Sequence, residues 1–293
     1  MNSIEIEQQA LYQQPIHKVF WRFTIPSVMA MLVNGLYQVV DGMFVGHYIG
    51  YEGLAGINLA WPLIGVVAGL GIMIGMGGGS VVSIFRGEQN APQAQSALST
   101  SLWLSLIFGL VASFLLHLVG HRVLLAQGAT QQVLSLSSEY VSVFSWGAIF
   151  TVAAAALPML IRNDNSPNFS TLLLAIGAVL NILLDYVFIG IWSMGLKGAA
   201  IATLISQACV VVIAVGYFFS NQAYIRLNIK ALQLNISLAQ RSVSLGASSL
   251  LMFFYFGFIA AVHNKLLLEL GSPLHVAAFA VIGYLGTLYY LTA

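Results

Sequence analysis

Residues 53–85 read GLAGINLAWPLIGVVAGLGIMIGMGGGSVVSIF, 33 positions without an Asp, Glu, Lys or Arg. A helix crosses the hydrocarbon of a bilayer with about 20 mostly apolar residues, so this stretch is long enough to span. The pattern recurs in both directions. Residues 89–121, 140–161, 198–225, 242–264 and 270–293 are also free of charge, and 23–51 and 165–196 are each interrupted by one acid. Helices are expected near 19–46, 53–84, 97–120, 131–160, 168–190, 196–220, 239–264 and 273–293. The fold class is therefore all-α, a polytopic membrane helix bundle. The runs are too long and continuous for the short alternating strands of a membrane barrel.

Composition agrees. Of 293 residues, 59% are hydrophobic and 6% charged (10 Lys+Arg, 9 Asp+Glu), against roughly 25% charged in a soluble domain. Mean hydropathy is +0.90. Disorder, nucleic-acid binding and a secreted disulfide scaffold are excluded. The net charge of +1 points to no acidic partner, and the single Cys209 lies in an apolar run. The first apolar run follows Lys18 and Arg22 and lacks a small-residue cleavage site, so it reads as a retained span. Lys18, Arg22, Arg86, Arg162, Arg226, Lys230 and Arg241 fall on one side of the expected spans, and Arg122, Lys197 and Lys265 on the other. That excess places the N-terminus in the cytoplasm.

The chain also repeats itself. Ile25 to Leu63 and Leu245 to Leu285 each run through a helix, a short Gly-containing turn and the start of another helix, offset by about 220 residues. The expected organisation is a cytoplasmic tail at 1–18, a six-helix lobe at 19–220, a cytoplasmic inter-lobe linker at 221–238, and two helices opening a second pseudo-symmetric lobe at 239–293. Since the chain stops in an apolar run at Leu291-Thr292-Ala293, a C-terminally truncated transporter is expected; a natural eight-helix protein is the alternative.

The chemistry lies in two acids without bases. Only Asp41 and Asp185 sit well inside expected spans, while the Lys and Arg residues sit at span ends or in loops. Charged groups at mid-bilayer cost about 2.5–3.5 kcal/mol on insertion scales and mark function by default. Two such acids must be protonated, bind a cation or face water. Asn34, Tyr37, Gln38 and Asp41 form a polar stripe at one-turn spacing. Asn181 and Asp185 share a face, as do Thr203 and Gln207 with Ser206 beside them. These oxygen ligands suit Na⁺ or H⁺. Gln38, Ser206 and Gln207 serve equally well as interhelical glue. Pro26 is either a start-of-helix proline or a hinge in the Asp41 helix.

Other signals count for less. Gly71, Gly75 and Gly79 lack the Lys-Ser/Thr of a phosphate loop, and their spacing fits close helix packing. His17, His47, His117, His121, His263 and His275 show no metal-ligand spacing. His263 and Asn264 read as membrane-interface residues, with a place in a cavity lining as the alternative, and no nucleophile has a base. The chain is not expected to be an enzyme or to carry a cofactor beyond a coupling ion.

The segments Ile25-Pro26-Ser27 and Val39-Val40-Asp41-Gly42-Met43-Phe44-Val45-Gly46, with Gly50, Leu54-Ala55-Gly56 and Trp61-Pro62, resemble the first helices of the multidrug and toxic compound extrusion (MATE) family. Ile161-Arg162-Asn163-Asp164-Asn165-Ser166-Pro167 is similar to that family's Arg-Asn-Asp-Gly-Asn-Pro segment, with Asn165 replacing Gly. Asn181-Ile-Leu-Leu-Asp185 and Gly195-Leu-Lys-Gly198-Ala-Ala-Ile-Ala-Thr203 resemble helices five and six of its bacterial multidrug (DinF-like) branch. The resemblance implies two six-helix lobes and export of amphipathic, often cationic, organic compounds in exchange for H⁺ or Na⁺. It implies a cation site at Asp41, Asn181, Asp185 and Thr203 beside Tyr37, the same set binding Na⁺ if sodium is used. Asn34, Gln38 and Gln207 are the substrate-cavity candidates, and Pro26 the hinge. Location in a bacterial inner membrane is expected, as a monomer when full length, with small organic substrates and lipid as partners. The alternatives are a lipid-linked oligosaccharide flippase of the same superfamily and a non-transporting membrane scaffold.

Overall fold

A computed structural model describes residues 15–228 and 232–292, without the side chains of residues 19, 23, 34 and 287–292. Most of the expected 1–18 tail, and Lys230, lie outside the described residues. Among those described there are eight helices and no strand: α1 Ile16–Tyr48, α2 Tyr51–Gly87, α3 Ala91–Ala126, α4 Gln131–Asn163, α5 Pro167–Asp185, α6 Gly195–Phe219, α7 Ile236–Leu270 and α8 Pro273–Thr292. The eight expected helices are all present, and four of them (α1, α2, α3 and α7) are longer at both ends. Seven of the helices are long and apolar enough to cross a membrane, and α8 is apolar over its shorter Pro273–Gly286 stretch. This is a multi-pass membrane protein.

Local chemistry sets the boundaries. Gly50, at φ 93°, turns the chain between α1 and α2, a conformation that L side chains resist. Asn90 caps α3 by accepting from the Gln93 amide at 3.2 Å, and Asn235 caps α7 by accepting from the Leu238 amide at 3.2 Å. These caps satisfy orphan amides of the first turn. Pro26 does not open α1. The helix begins at Ile16 after Pro15, a residue whose fixed φ suits a helix start, so Pro26 is internal and removes one in-helix donor.

Helix α2 is the hub and packs on α3, α4, α7 and α8. Its glycines make this possible. A Cβ on Gly71 would collide with the Val152 carbonyl of α4, one on Gly75 would stand 3.0 Å from the Ala156 carbonyl oxygen, and one on Gly79 would strike Asn163. The four-residue spacing therefore forms the face that meets α4. Gly69 and Gly77 turn instead to Phe253 and Ser242 of α7, and Gly246 of α7 meets the Met73 carbonyl. Without Cβ atoms the backbones approach closely, which substitutes for the missing hydrophobic drive between helices in lipid.

The linker after α6 is docked. Ser99 Oγ donates to Gln233 O at 3.0 Å, Asn235 N donates to Thr100 Oγ1 at 3.2 Å, and Gln95 Nε2 donates to Arg226 O at 2.7 Å. The Asp164 carboxylate accepts from Tyr217 Oη at 2.8 Å, Tyr224 N at 2.8 Å and Ile225 N at 2.9 Å. Burial pushes this carboxyl above its ordinary range, offset in part by those hydrogen bonds and by nearby Arg86. Asp164 thereby fastens the start of the linker to the α4–α5 turn.

Candidate functional site

The two intramembrane acids, far apart in sequence, come together. Asp41 sits on α1 and Asp185 ends α5, and α1 packs along α5. Their carboxyl groups are neighbours. Asp185 is fully buried, and Asn181, one turn earlier on the same helix, is 2% exposed. Asn181 Nδ2 points at Thr203 Oγ1 on α6 at 3.4 Å, and Thr203 Oγ1 donates to Ala199 O at 3.0 Å. Tyr37 lies within electrostatic reach of both acids, at the expected one-turn spacing from Asp41.

The cluster is short of donors. Asp41 Oδ1, Asn181 Oδ1 and both Asp185 carboxyl oxygens are buried without a hydrogen-bond partner. Buried polar atoms are almost always paired, so each orphan needs an explanation. Four clustered oxygens from two helices, with the Thr203 hydroxyl beside them, form a hard-oxygen environment of net negative charge. A proton shared between the carboxyls or a small hard cation would satisfy it. Among the described residues no group of three or more His, Cys, Asp or Glu could hold a metal ion.

A structural irregularity adjoins the cluster. Immediately after Asp185 the helix widens into a π-helical turn, Tyr186–Ile191, closed by Trp192 N donating to Val187 O at 2.8 Å. Wide turns of this kind concentrate at functional positions. Nothing in the sequence flagged it.

The remaining candidates separate. Gln207 Oε1 accepts from Thr151 of α4 at 2.7 Å, which ties α6 to α4, and Ser206 Oγ donates to the Ala202 carbonyl of its own helix at 2.8 Å. Gln38 is engaged in a contact of its own, and the side chain of Asn34 lies outside the described residues. The Pro26 carbonyl accepts from Thr171 Oγ1 of α5 at 2.8 Å, so the proline is also an α1–α5 contact.

Two groups escaped the sequence reading. Tyr140 of α4 and Tyr284 of α8 lie within electrostatic reach of Asp41. A tyrosine in a span is ordinary, and no spacing connects these positions to Asp41. The second group is a polar knot at the end of the bundle opposite the linker. Asn264 is fully buried there. Its Nδ2 donates to Asn58 O and to Gln127 Oε1, both at 2.9 Å, and Asn58 Nδ2 donates to Asn264 Oδ1 at 2.9 Å. Gln127 Nε2 donates to Leu59 O at 3.0 Å. Amides buried within apolar runs were the available signal.

Comparison with known proteins fits this architecture. The family model described as MatE matches residues 26–187, more than half of the chain, and the chain belongs to that family. It is 25% identical over 280 residues to the multidrug export protein MepA of Staphylococcus aureus (strain MSSA476), covering 95% of this chain and 61% of the relative. MepA of Staphylococcus saprophyticus is 24% identical over the same length. The chain thus spans about 61% of the length of the curated relatives it matches. Among solved structures, the MATE multidrug transporter DinF-BH superposes with a TM-score of 0.87 at 28% identity, over 92% of this chain and 60% of that one. An outward-facing multidrug resistance MATE family transporter gives 0.84 at 25% identity, over 96% and 62%.

Proposed function

We propose that the chain works in secondary active multidrug efflux, antiporting organic, often cationic compounds against H⁺ or Na⁺ by alternating access. The observation that carries this reading is the set of donor-less buried oxygens on Asp41, Asn181 and Asp185. Such a cluster is stable only when a proton or cation occupies it, so its occupancy can be exchanged for that of a cationic drug. Asp41, Asn181, Asp185 and Thr203 hold the ion, with Na⁺ taking the same oxygens if sodium is used. Tyr37 borders the site, and Pro26 is the hinge through which α1 responds. Residues 19–220 form the ion-binding lobe, 221–238 the linker, and 239–293 the first part of the opposing unit. The setting is a bacterial inner membrane with the N-terminus in the cytoplasm. The relatives' names, multidrug export protein and multidrug transporter, support the substrate class.

The test uses the chain in proteoliposomes loaded with the fluorescent organic cation ethidium under separate H⁺ and Na⁺ gradients, alongside thermal unfolding at graded pH and Na⁺. One of the two cations should drive efflux and raise the melting temperature, because a ligand that binds only the folded state stabilises it. Asp41→Asn and Asp185→Asn should each remove both effects. Undiminished cation dependence in both variants ends the proposal.

A further inference from the structure

We propose that Tyr284 of α8 is a positioning residue for the acid pair, closing the cation site from the side of α8 by seating its ring on Gly42. This rests on the reading of Asp41 and Asp185 as the ion site. The argument begins with the glycine next to Asp41. A Cβ built on Gly42 would lie 2.5 Å from Tyr284 Cε2, 2.8 Å from Cζ and 3.1 Å from Cδ2. These three nearest atoms all belong to one ring, so Tyr284 occupies the space that any larger residue at 42 would need. Gly42 is buried, although a glycine inside a helix is less favourable than an alanine. The contact gives a physical reason for tolerating it.

The helix that brings the ring is itself well placed. Val276 (0% exposed), Ala280 (5%) and Tyr284 are spaced four apart, so they share one face of α8. That face packs on α1 and α2. The small residues let α8 approach closely, and the tyrosine ends the row beside the acids. The titratable groups around Asp41 are then Asp185 from α5, Tyr37 on α1, Tyr140 from α4 and Tyr284 from α8. Of these, Tyr284 is the one carried after the linker. A movement of α8 away from α1 lifts the ring off Gly42 and opens Asp41 to exchange. Docking of α8 returns it. Ion occupancy and the α1–α8 contact are therefore linked, and each strengthens the other.

The experiment measures the apparent cation affinity of the purified chain from the dependence of its melting temperature on Na⁺ and on pH. The variants are Gly42→Ala, Tyr284→Ala, their combination, and Tyr284→Phe. Gly42→Ala and Tyr284→Ala should each weaken affinity about tenfold, the lower end of what loss of a supporting residue costs an ion site. The double variant should be no weaker than Tyr284→Ala alone, because both changes break one contact. Tyr284→Phe keeps the ring and should match wild type. Affinity unchanged in Tyr284→Ala, or single effects that add in the double variant, overturns the inference. A uniform drop in melting temperature with the cation affinity intact also overturns it, since that is the signature of packing alone. If Gly42→Ala does not fold, the Tyr284→Ala and Tyr284→Phe pair decides. Failure of the underlying site reading is distinguishable, because wild type would then show no cation dependence at all.

Discussion

Two buried polar clusters in this bundle follow opposite rules. The knot of Asn58, Gln127 and Asn264 joins α2, the end of α3 and α7, and its amides hydrogen bond to one another or to backbone carbonyls. The cluster of Asp41, Asn181 and Asp185 joins α1 and α5, and four of its oxygens have no donor. Both are sunk among apolar helices, where an unmet polar group costs several kcal/mol. The satisfied knot holds helices in register and needs nothing from outside. The unsatisfied cluster is the one that the proposed function fills with a proton or a cation. Burial of polar residues therefore does not by itself separate the two clusters; the count of unmet acceptors does.

The comparison can be broken most forcefully at the acids. Asp185→Asn should abolish the cation-dependent rise in melting temperature and lower ethidium efflux at least tenfold, while stability without added cation holds or increases, since a buried uncompensated charge is removed. Loss of stability without cation in that variant would place Asp185 with the structural knot. Asn264→Leu should do the reverse. It leaves Gln127 Oε1 and Asn58 Nδ2 each short of a partner, which costs roughly 1–3 kcal/mol per stranded group. The melting temperature should fall while the cation affinity stays at its wild-type value. A shift in affinity would show that the two clusters communicate.

Smaller effects sharpen the contrast. Asn181→Leu loses one long contact to Thr203 and one orphan acceptor, so stability should move by less than about 1 kcal/mol. Cation affinity should drop about tenfold, read from the same titration. Asp164 gives the smallest signal. Its folded-state pKa lies above the ordinary 3.8, so the folded chain retains the proton to higher pH than the unfolded chain does. Its contribution to stability is present below 3.8 and declines as pH rises through the folded value. Asp164→Asn should flatten that part of the melting-temperature profile; an identical slope in variant and wild type refutes the assignment.

Much of the candidate cluster was legible. A charge in an apolar run is conspicuous wherever it lies, which exposed Asp41 and Asp185. The four-residue spacing of Asn181 from Asp185 placed both on one helix face. Gln207 was ambiguous between cavity and glue, and its bond to Thr151 gives it a helix-joining role. Tyr140 and Tyr284 were not legible, because their relation to Asp41 runs through α4 and α8 packing and not through any spacing along the chain. The burial of Asn264 was not legible for the same reason: near the end of a span, an amide facing water and an amide buried against Asn58 have the same sequence context.

What the sequence determined alone was the number and approximate extent of the helices, and the presence of two acids that a bilayer would not tolerate idle. Hydropathy is additive along a chain and desolvation of a charge is a local cost, so both can be read without coordinates. Only the tertiary structure decided which oxygens lack a donor and which ring covers Gly42. Those properties belong to the space between helices, where residues far apart in the chain fix each other's surroundings.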